Sequence, residues 1–463
     1  MIKLFSAYIP GRTLLLAITD ALVIAAALVA TLAPGISAAP SLRLGDGQVF
    51  LKISVACLVC VVCMYYYDLY ASQVLSNLRE VVGRLIQVLG TTCLILALLY
   101  YLYPSIQLNW KILLLGFAVI VPSLTAWRRI FLALNSVGPL TERALLLGRG
   151  PLATCLREEL RGRPELGMRV MGYLDALPDS PPDDDPGGRR DGLERALAVI
   201  ESARVTSVII TMEERRGCLP MDFLLQLQSR GIKVEDGVDL YEKVTGKVPL
   251  HSLRPGRLVF SRGFKLSRTV QCSKRIFSIV LSFTGLVLAL PLMGLIALAI
   301  RWDSPGDAIF RQRRIGKGGR PFVLYKFRSM GIDADADGVP RPAEENDLRL
   351  TRVGRWLRKT RLDELPQLYN ILRGDMSFVG PRPFVPEQEL VLAAQIPFYR
   401  HRWTVLPGAT GWAQVHRGYC STLEDNEEKL AYDLFYVRNV SLGLNFLILF
   451  LTFKILILGR GGR

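Results

Sequence analysis

Apolar residues run almost unbroken over four stretches in the first third of the chain, at 13–33, 50–67, 85–103 and 112–134. Each is long enough to cross a bilayer core as a helix. An even number of crossings puts both flanks on one side. Lys3, Arg12, Arg79, Arg84, Arg128 and Arg129 gather at the ends this arrangement makes internal, so both flanks are expected in the cytoplasm. Tyr65–Tyr67 and Tyr100–Tyr103 fit interfacial aromatic belts. Several further spans follow the first, and no small-residue cleavage site closes it, so it does not read as a cleavable signal.

From residue 142 to about 246 the pattern alternates strand with helix: RALLLGRG, a helix to Arg161, MRVMGYLD, a polar Pro/Asp/Gly linker, VTSVIIT and IKVEDGVDLY. That order predicts a small Rossmann-like α/β domain on a parallel sheet. Its first turn, Gly148-Arg149-Gly150-Pro151-Leu152-Ala153, approximates the dinucleotide fingerprint, with Asp175 ending the next strand. Pro151 withholds one amide from a pyrophosphate, which leaves a dinucleotide site and a vestigial or regulatory fold both open.

A fifth apolar run, 276–300, is flanked by Lys274 and Arg275 before it and by Arg301, Arg311, Arg313 and Arg314 after it. Cations at both ends argue against a crossing. Pro291 in the middle removes a helix hydrogen bond and bends the rod. The expectation is a re-entrant helix that enters and leaves on one face. The stretch 442–458, apolar apart from Asn445 and Lys454, is expected at the membrane interface or on the membrane side of the last domain.

Half of the residues are hydrophobic, too many for a wholly soluble protein, and the formal net charge is +16. The partners are therefore anionic, and beside such long apolar runs lipid and phosphate outrank nucleic acid. Cys57, Cys60 and Cys63 recur every third residue, but inside an apolar segment without histidines at ligand spacing. They read as small side chains on a membrane helix rather than as cluster ligands.

Candidate chemistry lies beyond residue 310. In the strand 322–328, period two places Lys326 and Arg328 on one face, as a phosphate site requires. Asp333-Ala-Asp335-Ala-Asp337-Gly338 with Glu344 matches a calcium-loop pattern, but a strand precedes it and Pro340 and Pro342 interrupt it, so an acidic loop is expected instead. The stretch RKTRLDELPQLYN sets Asp363 and Glu364 before Pro366, with Leu365, Tyr369 and Leu372 as an apolar stripe. A helix is therefore expected to begin near Asp363, placing that carboxylate at a positive helix end among Arg355, Arg358, Lys359 and Arg361.

YKFRSM, LRKTRLDELPQLYNILRGDMSFVGPRP and PGATGWAQV together resemble the catalytic domain of the bacterial polyprenyl-phosphate phosphoglycosyl transferases, the initiating sugar transferases of exopolysaccharide and O-antigen assembly. The likeness runs from about Ser273 to the C-terminus, and the four spans plus α/β domain resemble the large members. It implies transfer of sugar phosphate from a UDP-sugar to undecaprenyl phosphate, with release of UMP and use of Mg2+. It also implies Asp363 as nucleophile, Glu364 as orienting or metal-binding partner, and Asp363 with Glu364 as the metal site. Lys326, Arg328 and Arg358 match positions around the phosphates, Pro381-Arg382-Pro383 the nucleotide segment, and Gln312 and Arg314 further motif positions.

The resemblance further implies a homodimer at the bacterial inner membrane, working with downstream glycosyltransferases, and a plain hexose donor, UDP-glucose or UDP-galactose. An N-acetylhexosamine phosphate transferase and a nucleotide-sugar sensor or assembly scaffold are the alternatives. A nucleotide-sugar dehydratase needs a Tyr-x-x-x-Lys pair, which the sequence lacks. Two positions depart from the family's usual pattern: Ser278 where an Asp is common, and Leu290 where small members carry Ser before the proline. The organisation expected is thus a membrane protein with a four-helix transmembrane bundle (1–138), a cytoplasmic Rossmann-like α/β domain (139–250) and a linker (251–272). A re-entrant helix with an α/β-containing catalytic domain at the cytoplasmic membrane face completes it (273–463).

Overall fold

A computed structural model describes residues 2–4, 7–31, 47–71, 74, 77–136, 141–174, 196–212, 221–253, 256, 267–331, 347, 349–417 and 422–457. The chain divides into two compact units, one built on Tyr8–Leu240 and the other on Tyr241–Arg463. Two three-residue strands, β1 (Ile2–Leu4) and β2 (Ala7–Ile9), precede the first helix.

In the first unit, four apolar helices are long enough to cross a membrane: α1 (Gly11–Ala30), α2 (Gly47–Tyr66), α3 (Leu78–Leu102) and α4 (Trp110–Ser136). Ile24, Leu28, Leu85, Val88 and Ile120 fill the space between them, with Cys60 and Cys63 among these apolar neighbours. Leu22, Leu94, Leu98 and Leu114 point outward, as a lipid-facing surface requires. Arg128 lies inside the bundle, 2.7 Å from Asp20 and 2.7 Å from the Leu69 carbonyl, over the ring of Tyr70. A charge among apolar helices must be paired, and Asp20 supplies the counter-charge.

The α/β domain follows in the order β3 (Glu142–Leu147), α5 (Pro151–Arg161), β4 (Met168–Leu174), β5 (Ser207–Ile210), α6 (Met221–Ser229) and β6 (Lys233–Asp236). The four strands are all parallel, in the order β4-β3-β5-β6. The winding reverses between β3 and β5, and Gly148 turns the chain there with φ +99°. A Cβ at Gly148 would lie 2.7 Å from Met212, so the turn needs glycine. Asp175 and the polar linker lie outside the described residues. The run VDLY, read from sequence as strand, belongs to helix α7 (Gly237–Thr245), because the Asp236 carboxylate accepts from the amides of Val238 and Asp239 and starts a helix.

The second unit carries α8 (Arg268–Asp303), the hairpin β7 (Ile309–Ile315) and β8 (Pro321–Phe327), α9 (Arg352–Thr360) and α10 (Gln367–Arg373). β9 (Ser377–Val379), α11 (Pro386–Gln395), β10 (Gly408–Thr410), α12 (Trp412–His416), α13 (Leu423–Arg438) and α14 (Leu442–Ile457) complete it. Its core surrounds α13, whose residues Leu430 to Val437 are all buried. Residues 246–253 pack on the same core, since the Trp412 indole donates to the Gly246 carbonyl and the Val248 amide to the Ala431 carbonyl.

Helix α8 is continuous over 36 residues, longer at both ends than the apolar run, with Pro291 inside it. One stripe is buried through Ser278, Ser282, Ile296 and Ile300, while Val280, Val287, Leu288, Leu290 and Leu295 on its other faces are exposed. The same domain holds it at both ends. Arg275 donates to the carbonyls of Ile371 and Leu372, Lys274 donates to the Val379 carbonyl, and Ile296 and Ile300 join Phe327 and Leu357 in one cluster. The two cations before Ser278 thus anchor the helix without an acid at that position. Beside it, α14 buries Leu444 and Ile448 and sets Phe446 edge-on to Phe277, leaving Phe450 and Phe453 exposed. The acidic stretch 333–344 lies outside the described residues.

Candidate active site

Three local features place the two carboxylates. The Thr351 hydroxyl accepts from the Gly354 amide at 2.9 Å and starts α9, which stops at Arg361 in the left-handed conformation, φ 57°. A single 3-10 turn, Leu362–Glu364, follows, and α10 begins only at Gln367. The helix expected to start at Asp363 starts four residues later. Left-handed Arg361 breaks the chain direction, and Pro366 sits at the cap. Asp363 therefore owes nothing to a helix dipole. The stripe expected on α10 is also shifted: Gln367, Asn370 and Ile371 are buried, and Tyr369 is exposed against Tyr325.

The turn nonetheless sorts its side chains. Leu362 and Leu365 pack against the cluster of Ile296, Ile300, Phe327 and Leu357, while Asp363 and Glu364 belong to a charged group. Arg382 donates to Glu364 Oε1 at 3.0 Å, and Lys326 Nζ lies 3.8 Å from the same oxygen. Hairpin register sets Lys326 opposite Phe310 and Leu324 opposite Gln312, so Gln312, Arg314, Leu324 and Lys326 share a face. Arg314 donates to Gln312 at 2.6 Å and to the Pro383 carbonyl at 3.2 Å, which ties this face to the Pro-Arg-Pro segment. β9, just before that segment, pairs in parallel with β10, and the Gly408 amide donates to the Pro381 carbonyl. A cleft opens here, lined on its polar side by Arg314, Lys326, Gln367 and Arg382.

Two expected phosphate ligands behave differently. Arg358 donates from Nε to the Ser329 hydroxyl at 2.9 Å, and its charge acts on Asp363. Gly354 makes this possible, because a Cβ there would sit 2.0 Å from the Ser329 carbonyl oxygen. Arg328, just past the strand, instead spends its guanidinium on the carbonyls of Ser304 and Pro305 at the end of α8. Arg355 and Lys359 are exposed, and the cations acting on Asp363 are Lys326, Arg358 and Arg382.

Electrostatics separate the two acids. Burial opposes ionisation of Glu364, yet Arg382, Lys326 and Arg361 more than offset it and bring its pKa down to about 2. Asp363 moves the other way, raised above 3.8 by burial and by the neighbouring Glu364 charge against the same cations. Burial, opposed by Glu364, also lowers Lys326 from 10.5 to about 8. One oxygen of Glu364 already serves two cations, while Asp363 is held near charge without a hydrogen bond to any described residue.

Among the described residues no three His, Cys, Asp or Glu side chains converge on one point. Adjacent carboxylates still fit Mg2+, which takes one or two protein carboxylates and completes its shell with water and substrate phosphate.

Sequence reasoning missed the residues that hold this group in place. Asn370, fully buried, donates to the Val323 carbonyl at 2.7 Å and accepts from the Tyr325 amide at 3.0 Å, completing the edge of β8 and fixing α10 to the strand of Lys326. Arg402 donates to the Arg382 carbonyl while held between Glu389 and Asp433. A polar Asn among apolar neighbours in LPQLYNIL was the available signal for the first. No local pattern announces the second.

Residues 269–459 match the model of the bacterial sugar transferase family, and residues 66–218 match that of a CoA-binding domain. A Xanthomonas campestris pv. campestris protein named UDP-glucose:undecaprenyl-phosphate glucose-1-phosphate transferase is 32% identical over 353 residues, 73% of this chain and 71% of that one. An Escherichia coli K12 protein of the same name is 37% identical over 300 residues, 64% of each chain. An Aeromonas hydrophila protein, named UDP-N-acetylgalactosamine-undecaprenyl-phosphate N-acetylgalactosaminephosphotransferase, is 39% identical over 246 residues, 52% of this chain and 56% of that one. The matched part thus spans just over half of the Aeromonas relative.

Proposed function

The chain belongs to the bacterial polyprenyl-phosphate phosphoglycosyl transferases, and from that premise we propose that it transfers a sugar 1-phosphate from a UDP-sugar to undecaprenyl phosphate. An ionised Asp363 oxygen attacks the sugar-bearing phosphorus, the bond to the other phosphate breaks, and UMP leaves with the bonding electrons. An oxygen of undecaprenyl phosphate then attacks the phosphorus held on Asp363, which yields the lipid diphosphate sugar and restores the carboxylate. The observation that carries this reading is Asp363 itself, nearly buried and raised in pKa by that burial, with the charges of Lys326, Arg358 and Arg382 acting on it and with Lys326 and Arg382 also lining the cleft.

Lys326, Arg382 and Arg314 receive the diphosphate, and Arg358 faces the reacting group. Glu364 keeps Lys326 and Arg382 in place and stays ionised throughout. Asp363 and Glu364 would be the residues that hold Mg2+, which when bound would further neutralise phosphoryl charge. UDP-glucose or UDP-galactose is the proposed donor, a choice supported by relatives named for glucose. The Aeromonas relative supports an N-acetylhexosamine as the second reading.

The proposed setting is the bacterial inner membrane, with the site on the cytoplasmic side where nucleotide sugars are made. Helix α8 is read as re-entrant, supported by its attachment at both ends to one domain and by its exposed apolar faces. A cysteine placed after Arg301 and labelled from outside intact cells would overturn that topology. Function is tested by giving the detergent-solubilised protein undecaprenyl phosphate and a panel of UDP-sugars and measuring UMP. A hexose donor is expected to yield UMP and lipid-linked sugar phosphate, and no UMP from any donor would leave the sensor or scaffold alternative standing.

A further inference from the structure

Two buried carboxamides lie one turn apart on α10, and they differ in one respect. Asn370 is fully buried and both of its amide groups are bonded to β8. Gln367 retains only 4% exposure, lines the cleft, and makes no side-chain hydrogen bond to any described residue. Its amide is not paired among the described residues and opens to the cleft, so a group that enters there meets a donor and an acceptor together.

The neighbours identify what. Arg314, Lys326 and Arg382 provide the cationic side, which suits phosphates. Leu324, Met376 and Pro383, beside Gly408, provide apolar wall without further hydrogen-bonding side chains, which suits a flat ring rather than a hexose covered in hydroxyls. A carboxamide offers one donor and one acceptor side by side, and the imide edge of uracil offers an N–H beside a carbonyl in the complementary order. We infer that Gln367 is a base-reading residue, its Oε1 accepting from the pyrimidine N3–H and its Nε2 donating to the adjacent carbonyl. This rests on the UDP-sugar reading above. It adds a base-specific contact to a site whose Pro381-Arg382-Pro383 segment the resemblance assigns to the nucleotide as a whole.

The test is calorimetric binding of UMP, N3-methyl-UMP and inorganic pyrophosphate to the full-length protein in detergent, for wild type and Gln367→Met. Methionine keeps the volume and removes both hydrogen-bonding groups. UMP binding is expected to weaken about tenfold or more in the variant, with pyrophosphate binding unchanged. N3-methyl-UMP is expected to bind wild type about tenfold more weakly than UMP does and the variant no more weakly. Where Gln367→Met fails to fold, Gln367→Glu, which loses the donor, takes its place in the same comparison. UMP affinity within twofold of wild type, or an equal loss for pyrophosphate, overturns the inference. A wild-type protein that binds pyrophosphate and not UMP overturns the nucleotide-donor reading and this contact with it.

Discussion

Two charged groups lie within one domain, and they are built on opposite principles. Around Arg402, one guanidinium is clamped between Glu389 at 3.1 Å and Asp433 at 2.9 Å, with Tyr399 and the Arg382 carbonyl completing its partners and only Nε unbonded. Lys429 adds a second positive charge near Asp433, so the acids are matched and the group is closed. Around Glu364 the arrangement differs: Lys326, Arg382 and Arg314 line an open cleft, and Lys326, Arg358 and Arg382 act on Asp363. A closed, buried group holds shape. Cations that line an open cleft attract an anion from outside. The two are joined through Arg382, whose backbone is held by the first group while its side chain serves the second.

The contrast breaks most clearly at its two arginines. Arg402→Met leaves two acids buried without their cation and should cost about 3–5 kcal/mol, read as a lower Tm of the detergent-solubilised protein. Arg382→Met should lower kcat/KM for the nucleotide sugar on the order of a hundredfold to a thousandfold and lower Tm less than Arg402→Met does, because Lys326 and Arg361 still act on Glu364. Equal Tm losses in both variants would erase the distinction. A smaller effect is expected at the support: Asn370→Ala strands the Val323 carbonyl and Tyr325 amide and should cost about 1–3 kcal/mol. Asn370→Asp, which still accepts from Tyr325, should recover part of that stability, and no recovery would show that the β8 edge is not what the side chain holds.

The mildest effect concerns pH. Lys326 is charged below about 8 and must be charged to bind phosphate, so kcat/KM should fall as pH rises through about 8. Lys326→Arg, which keeps its charge, should move that limb upward, and a limb that stays put would assign it to another group. Stability runs the other way. A lysine depressed from 10.5 to about 8 when folded binds fewer protons than the unfolded chain between those values, so its burial penalty is relieved as pH rises across them. Glu364, depressed from 4.5 to about 2, contributes stability above 4.5 that is lost as pH falls toward 2.

The same contrast explains what was legible in the sequence. Membrane helices announce themselves by apolar length, and the parallel α/β domain by its alternation, because both patterns are local. Asp363 and Glu364 were visible as a pair between cations, and Lys326 by strand periodicity. The helix start at Asp363 was misread because nothing in RLDELP shows that Arg361 adopts the left-handed conformation, after which Leu362 and Leu365 pack against the cluster of Ile296 and Ile300. The pairing of Arg128 was not visible because its partner, Asp20, is distant in sequence. Arg402, Glu389 and Asp433 went unnoticed for that reason too. Contacts between distant segments decide which charges are structural and which are left for a ligand.

The central claim is that Asp363 becomes phosphorylated. Wild-type protein incubated with UDP-glucose labelled on the sugar-bearing phosphorus, without undecaprenyl phosphate, should retain label covalently and release UMP in equal amount, and Asp363→Asn should do neither. Asp363→Asn protein that still releases UMP when both substrates are supplied would contradict the account.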